Sequence, residues 1–312
     1  MSKNSMSRRS FLTTMGGAAA VAGLGLVGCS SDSSSDDSSS DDTTTELSGS
    51  ITCSGATSFQ SLVEAAANNF MDANPDVSIA ISGGGSGQGL SDVKDGKAEI
   101  GRSDVFAEAK LDAEDAAELV DYKVCVVGMG PVANLGVGVD DLSTEQLKGI
   151  FTGEITNWSE VGGEDLTIQV IEREAGSGTR ATFEEAILGG ESAPDSFTPA
   201  SEESSSGTVV EKVQQTEGAI SYLAFSYYDD SAFLALSVDG VEPTAANVES
   251  GDFLIWAYEH MYTASEVDDV TAAFMEYMLS DEVQGSLVEE EGFIPLTGMQ
   301  VEKDADGNIT AL

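Results

Sequence analysis

The chain has 312 residues, with 13 Lys+Arg against 55 Asp+Glu and a formal net charge of −42 at pH 7. That balance leaves no basic patch able to grip a phosphate backbone, which excludes nucleic acid as a partner. Charge of this size repels itself in dilute salt but is screened at molar salt, where the Debye length falls to about 3 Å, so the composition points to a halophilic source of haloarchaeal type.

At the N-terminus, Ser7-Arg8-Arg9-Ser10-Phe11-Leu12 has the twin-arginine export pattern, followed by a Gly/Ala-rich apolar run from Met15 to Gly28. About 14 residues are too few to span a bilayer as a helix, so this is a targeting segment. Leu26-Val27-Gly28-Cys29 resembles a lipobox, which makes Cys29 the lipidated first residue of the exported chain. Residues 1–29 are thus a signal, and residues 30–48, almost all Ser, Asp and Thr, form a disordered tether. Loss of Lys3, Arg8 and Arg9 with the signal takes three of the 13 basic residues and leaves 10 against 55 acidic ones, a formal charge of about −45. The location this implies is the extracytoplasmic face of the cell membrane, held there by lipid.

From Ser50 onward, short β-runs alternate with amphipathic helices. Ser50 to Ser54 predicts a strand, Gly55-Ala56-Thr57-Ser58 a loop, and Phe59, Leu62, Val63, Ala66, Ala67 and Phe70 one face of a helix that Thr57 or Ser58 would cap. Val77 to Ile81 is the second strand, Gly83-Gly84-Gly85-Ser86-Gly87 leads into a short helix, Ala98 to Arg102 is the third strand, and Lys123 to Met129 is a strongly apolar fourth. Leu142 to Phe151 then reads as helix, Leu166 to Ile171 as strand, Glu172 to Gly178 as loop and Thr179 to Leu188 as helix. Ala219 to Phe225 and Phe253 to Tyr262 are later β-runs, and Val267 to Leu279 and Ser280 to Glu289 are helical. Strand-helix alternation with Gly-rich turns predicts an α/β fold of mostly parallel sheets covered by helices on both faces. Cys53 and Cys125 lie in separate apolar runs and read as free buried thiols, a single disulfide being the alternative.

Three loops share one design, Gly55 to Ser58, Gly83 to Gly87 and Gly176-Ser177-Gly178-Thr179. Each follows a strand and opens a helix, where unpaired N–H groups and the positive end of the helix dipole favour an anion. Glycine permits close approach and the Ser and Thr hydroxyls add rotatable donors, so converging loops of this kind could hold a tetrahedral oxyanion. Beyond the signal the only arginines are Arg102, Arg173 and Arg180, and two of them flank the third loop. Arg173 reads as an anion ligand; Arg180 is either a ligand or the partner of nearby carboxylates.

These loops, together with Ile100-Gly101-Arg102-Ser103-Asp104, Leu147-Lys148-Gly149-Ile150-Phe151-Thr152-Gly153-Glu154-Ile155-Thr156-Asn157-Trp158 and Arg173-Glu174-Ala175-Gly176-Ser177-Gly178-Thr179-Arg180, resemble the phosphate-binding proteins of ATP-driven phosphate importers, from about Ser50 to Thr297. The resemblance implies the two-lobed fold of type II periplasmic binding proteins, with residues 49–126 plus 256–312 as one lobe, 127–255 as the other, and hinge crossover strands between them. It implies Thr57, Ser58, Ser86 and Asp104 as phosphate ligands from the first lobe and Arg173, Ser177, Gly178 and Thr179 from the second. A protonated phosphate can donate to the Asp104 carboxylate and sulfate cannot, which favours phosphate. By the same resemblance the partners are inorganic phosphate, an ABC permease with its ATPase, and the membrane through the lipid anchor, and the chain acts as a monomer without cofactor or catalysis. Ala175 stands where many relatives carry an acid that orients the arginine, with Glu172 or Glu174 as possible substitutes; Arg102 replaces a small residue common there.

Lone His260 reads as structural, which disfavours a Ser-His-Asp hydrolase and a histidine-rich metal site. Ser86 and Ser177 lack the glycine frame of a nucleophile elbow, and the Gly83 loop lacks the Lys-Ser/Thr of a P-loop. Glu302 to Gly307 faintly mimics a calcium loop and is expected to be a turn in a mobile tail. Three alternatives stay open: a binding protein for another oxyanion such as molybdate or sulfate, a phosphate sensor uncoupled from transport, and a secreted phosphatase.

Overall fold

The computed structural model describes residues 47–312; the export signal, Cys29 and all but the last two residues of the tether lie outside them. In chain order the strands of the main sheet are β1 (Gly49–Gly55), β2 (Val77–Gly84), β3 (Ile100–Ser103), β4 (Leu119–Ala133), β5 (Gln169–Arg173), β6 (Ser201–Glu203), β7 (Ala219–Ala224), β8 (Leu234–Ala235) and β9 (Trp256–Ala264). Interleaved with them are helices α1 (Gln60–Ala73), α2 (Ser86–Lys94), α3 (Thr144–Phe151), α4 (Gly178–Phe183), α5 (Ser206–Gln215) and α6 (Asp269–Met278). Among the described residues no helix is long and apolar enough to cross a membrane.

The sheet runs β2-β1-β3-β9-β4-β7-β5-β6, with β8 pairing β4 off that path. It is mixed where the sequence suggested mostly parallel pairing. Parallel pairs lie at its two ends, β1 with β2 and β3, and β5 with β6 and β7. At the centre β9 runs antiparallel to both β3 and β4. β4 pairs with β9 from Leu119 to Gly128 and then with β7 from Met129 to Ala133, so one 15-residue strand passes from one parallel half to the other. Alternation of strands and helices along the chain cannot reveal such a pairing, because β4 and β9 meet across a long sequence separation.

The core follows from the periodicities. The face of α1 made by Leu62, Val63, Ala66, Ala67 and Phe70 is buried, and Phe59 and Phe70 pack edge-on against Phe293 and Phe274, bringing α6 and the C-terminal segment onto the same side. β4 and β9 are buried along most of their length, as central strands covered on both faces must be. In the segment Leu147 to Trp158, Leu147, Ile150, Phe151 and Trp158 are buried, α3 opens on a Ser143–Gln146 capping box, and the Trp158 indole donates to Gly218 O at 2.9 Å. That motif is scaffold for β5 and β7.

Several local expectations change. Neither Thr57 nor Ser58 caps α1, which has no side-chain cap; both hydroxyls bond elsewhere. The helix expected to reach Leu188 is α-helical only to Phe183 and continues as a π-turn over Glu184–Leu188. Strand β6 and helix α5 were not foreseen. Cys53 and Cys125 are free, with β3 and β9 between their strands, which removes the disulfide alternative. The C-terminal turn is the tip of a hairpin pairing Val301–Lys303 with Ile309–Ala311, anchored by buried Lys303, whose Nζ donates to Trp256 O at 2.6 Å. Asp304 there accepts the N–H groups of Asp306 and Asn308, a turn closed on itself. His260 is buried with Nδ1 2.7 Å from Asp121 Oδ1 and its ring stacked on Tyr262, as a structural histidine would be.

Candidate functional site

All three Gly-rich loops emerge from the ends of parallel strands, the first after β1, the second after β2 and the third after β5, and the sheet curls so that they meet. Gly87 N donates to Gly176 O at 3.0 Å, joining the second loop to the third. Contact is close enough that a Cβ on Gly178 would collide with Ser86 Oγ, so this position admits no side chain. Gly55, at φ +127°, is likewise obligatory, because a Cβ there would strike Arg102 O.

Around this junction the residues named from the sequence come together, and all are buried. Asp104 lies at the end of β3, 2% exposed. Ser58 Oγ donates to its Oδ1 at 2.6 Å and Thr179 Oγ1 to its Oδ2 at 2.7 Å, while its own N–H donates to Ser86 Oγ at 3.0 Å. Asp104 therefore bonds a hydroxyl from each of the three loops, those of Ser58 and Thr179 through its carboxylate and that of Ser86 through its main-chain N–H. Ser177 is the N-cap of α4, its Oγ accepting from Arg180 N at 3.2 Å, and Gly178 and Thr179 form the first turn behind it.

Arg173 ends β5, 1% exposed. Its Nε donates to Glu203 O and one Nη to Ser204 O, both at 3.2 Å, so main-chain carbonyls after β6 orient the guanidinium. This answers the question raised by Ala175. Glu174 is exposed, and Glu172 accepts instead from Tyr222 OH at 2.7 Å, its carboxyl pushed up by burial. The remaining Arg173 donors reach Ser206 Oγ at 3.2 Å and Thr57 Oγ1 at 3.4 Å. Bonds this long to neutral hydroxyls are weak, and a charged oxygen would outcompete them. Burial lowers the pKa of Arg173 and Asp104 opposes that, but a guanidinium stays charged.

Two neighbours escaped the sequence reading. Ser206, fully buried at the start of α5, gives its N–H to Thr57 Oγ1 at 3.1 Å and shares a hydroxyl contact of 3.2 Å with it. Its signal was available, since Ser204-Ser205-Ser206-Gly207 before Val209 and Val213 repeats the loop-to-helix design. Tyr227, whose OH donates to Thr57 O at 2.6 Å, carried no such signal. Arg180 is committed elsewhere, to Glu184 at 2.8 Å, Glu202 at 3.2 Å, Glu172 at 3.8 Å and Arg173 O at 2.7 Å, which favours its structural reading. Arg102 is fully buried below the first loop, one Nη on Ser82 O at 2.5 Å and its Nε and other Nη without a hydrogen-bond partner among the described residues.

Taken together, one guanidinium, five hydroxyls and one proton-accepting carboxylate, all buried and held by loops from both ends of the sheet, define a site for a small protonated oxyanion. Among the described residues no cluster of three or more His, Cys, Asp or Glu could hold a metal. Comparison with known proteins places the fold in a class: a family profile described as a PBP superfamily domain matches residues 40–282. Phosphate-binding protein PstS of Bacillus subtilis is 48% identical over 260 residues, which cover 83% of this chain and 85% of that protein. A structure described as a phosphate ABC transporter substrate-binding protein with bound phosphate, from Clostridium perfringens, superposes at a TM-score of 0.73 and 34% identity, covering 80% of this chain and all of that one. An ABC-type phosphate transport receptor from Vibrio cholerae follows at 0.62 and 29%, covering 78% and 99%. The chain belongs to the PstS family of phosphate-binding proteins.

Proposed function

We infer that this chain is the substrate-binding protein of a phosphate ABC importer. The observation that carries this reading is the buried meeting of Arg173 with the hydroxyls of Thr57, Ser58, Ser86, Thr179 and Ser206 around Asp104, in a chain 48% identical to a phosphate-binding relative. Arriving phosphate exchanges its water for these donors and for loop N–H groups. Arg173 gives up its long bonds to Ser206 and Thr57 for charge-assisted ones, and the phosphate O–H donates to Asp104. Sulfate has no proton to give, so the same carboxylate would meet it as a like-charge contact with no hydrogen bond between them, at a cost of several kcal/mol.

Finer parts of the reading belong to this proposal. Thr57, Ser58, Ser86 and Asp104 bind from one lobe, residues 49–126 plus 256–312, and Arg173, Ser177, Gly178 and Thr179 from the other, residues 127–255. The change of partner of β4 at Gly128–Met129 supports a hinge at that point. Ligand bridging both lobes favours the closed form that a permease and its ATPase would recognise. Export by the twin-arginine route, anchoring through Cys29, the monomeric state, the halophilic habit and the lack of catalysis complete it. Titration calorimetry of the full chain at molar salt with phosphate, arsenate, sulfate and molybdate tests the proposal. Phosphate and arsenate should bind and sulfate and molybdate should not; preference for either of the latter would move the assignment to another oxyanion.

A further inference from the structure

Glu259 is a buried acid that neither the core nor the site described above uses. It lies on β9, fully buried, and among the described residues neither of its carboxyl oxygens meets a donor in hydrogen-bonding geometry. β9 pairs with β3 so that His260 faces Ser103 and Met261 faces Arg102. Carried one step further, this register sets Glu259 opposite Asp104, on the sheet face that carries Arg102. On its other side β4 sets Cys125 against it. The groups that surround it are therefore Asp104 and Arg102 from β3, Cys125 from β4, Ser58 from the first loop and Tyr227.

An ionised carboxylate here would be doubly costly, stripped of donors and placed beside a second carboxylate. The neutral acid removes both costs, because its O–H finds an acceptor in Asp104. Consistent with this, burial and then the Asp104 carboxylate push Glu259 well above the usual carboxylate range, against the opposing pull of Ser58 and Arg102.

We propose that Glu259 is a positioning residue for phosphate recognition, which as the neutral acid donates its proton to the Asp104 carboxylate and fixes the oxygen that Asp104 turns to the ligand. With Ser58 and Thr179 each donating to Asp104 as well, the carboxylate has little freedom left except to accept from the bound anion. The pair then presents one negative charge to phosphate instead of two. Ionisation of Glu259 at high pH would double that charge and weaken binding of dibasic phosphate.

The inference rests on the phosphate reading of the site, and the test keeps the two apart. Wild type, Glu259→Gln and Glu259→Leu are titrated as full chains with phosphate and with sulfate from pH 6 to 9 at molar salt, with thermal unfolding as the check on folding. The amide keeps a donor and cannot ionise, so Glu259→Gln should bind phosphate within about threefold of wild type near neutrality. As pH rises, its affinity relative to wild type should grow; phosphate's own ionisation is common to both chains and cancels. Glu259→Leu, with no donor, should lose at least tenfold for phosphate and part of its preference over sulfate. If the leucine chain fails to fold, the pH profile of Glu259→Gln decides alone. Identical profiles and identical phosphate-to-sulfate ratios in wild type and every folded variant would overturn the role of Glu259 while leaving the phosphate reading intact; a wild type that does not bind phosphate would reject both.

Discussion

Gly178→Ala asks whether the site depends on contact between the second and third loops. A Cβ at this position would meet Ser86 Oγ head-on, and would lie 2.9 Å from Asp104 Cβ and 3.0 Å from Ser86 Cβ, against 3.4 Å for ordinary contact. Both neighbours are buried and bonded, so neither gives way easily. Relief requires the third loop to withdraw by roughly 1 Å or more, which carries Thr179 Oγ1 out of reach of Asp104 Oδ2, now 2.7 Å away, and breaks the Gly87–Gly176 bond of 3.0 Å. One of these bonds is charge-assisted, so their joint loss is worth about 2 to 3 kcal/mol, or roughly 30- to 150-fold in phosphate affinity. The control is Gly176→Ala, where an added Cβ meets nothing within 4 Å and affinity should hold within about twofold. Calorimetry on both variants at molar salt measures the difference. Gly178→Ala binding as tightly as Gly176→Ala would show that the two loops need not touch when phosphate is held.

Asp104→Asn should narrow the preference for phosphate over sulfate by at least about tenfold, because an amide can donate to a fully ionised anion where the carboxylate cannot; competition binding reads this directly. Arg173→Lys should weaken phosphate by about 10- to 100-fold, since an ammonium cannot reproduce the fork that now reaches Glu203 O, Ser204 O, Ser206 Oγ and Thr57 Oγ1. Glu259 also shapes stability against pH. Its folded-state pKa lies above its unfolded value, so between about pH 4.3 and that higher value the native state holds a proton that the unfolded chain has released. Stability falls there as pH rises, by up to about 1.4 kcal/mol per unit, and denaturant titrations of Glu259→Gln should lose this slope. With a formal charge of −42, unfolding temperature should climb as KCl is raised from about 0.1 to 3 M; a flat response would contradict the reading of the composition.

How much of this was legible in the sequence depends on whether the determinant was local. Glycine-hydroxyl loops after apolar runs mark strand-to-helix turns, so three site segments and their helices could be placed without a structure. Ser206 obeyed the same local rule and was missed only because β6, three residues long with a half-exposed pattern, gives little periodicity to recognise. Thr57 and Ser58 show the opposite failure. Their position before α1 fits an N-cap, but a cap supplies one backbone donor, whereas Asp104 and Ser206 lie within reach across the fold and take both hydroxyls. The central antiparallel pairing, and with it the position of Glu259 opposite Asp104, is set by contacts between strands far apart in the chain, which no window of sequence contains.

That pairing also bears on how a chain so acidic binds an anion at all. Surface carboxylates act at long range and are screened within about 8 Å at physiological salt and less in brine, so they set solubility more than the potential inside the site. What matters is the handful of acids that reach the buried layer. Glu172 is buried with its carboxyl pushed up by desolvation and receives a bond of 2.7 Å from Tyr222 OH. Glu259 is pushed further in the same direction. Glu172 faces Tyr222 OH and Arg180, Glu259 is kept from adding full charge beside Asp104, and Asp104, held by Ser58 and Thr179, is left as the carboxylate that meets the ligand. Net charge and anion affinity are consequently independent properties of this fold: the first is written on its surface, and the second is decided by which buried acids keep their protons.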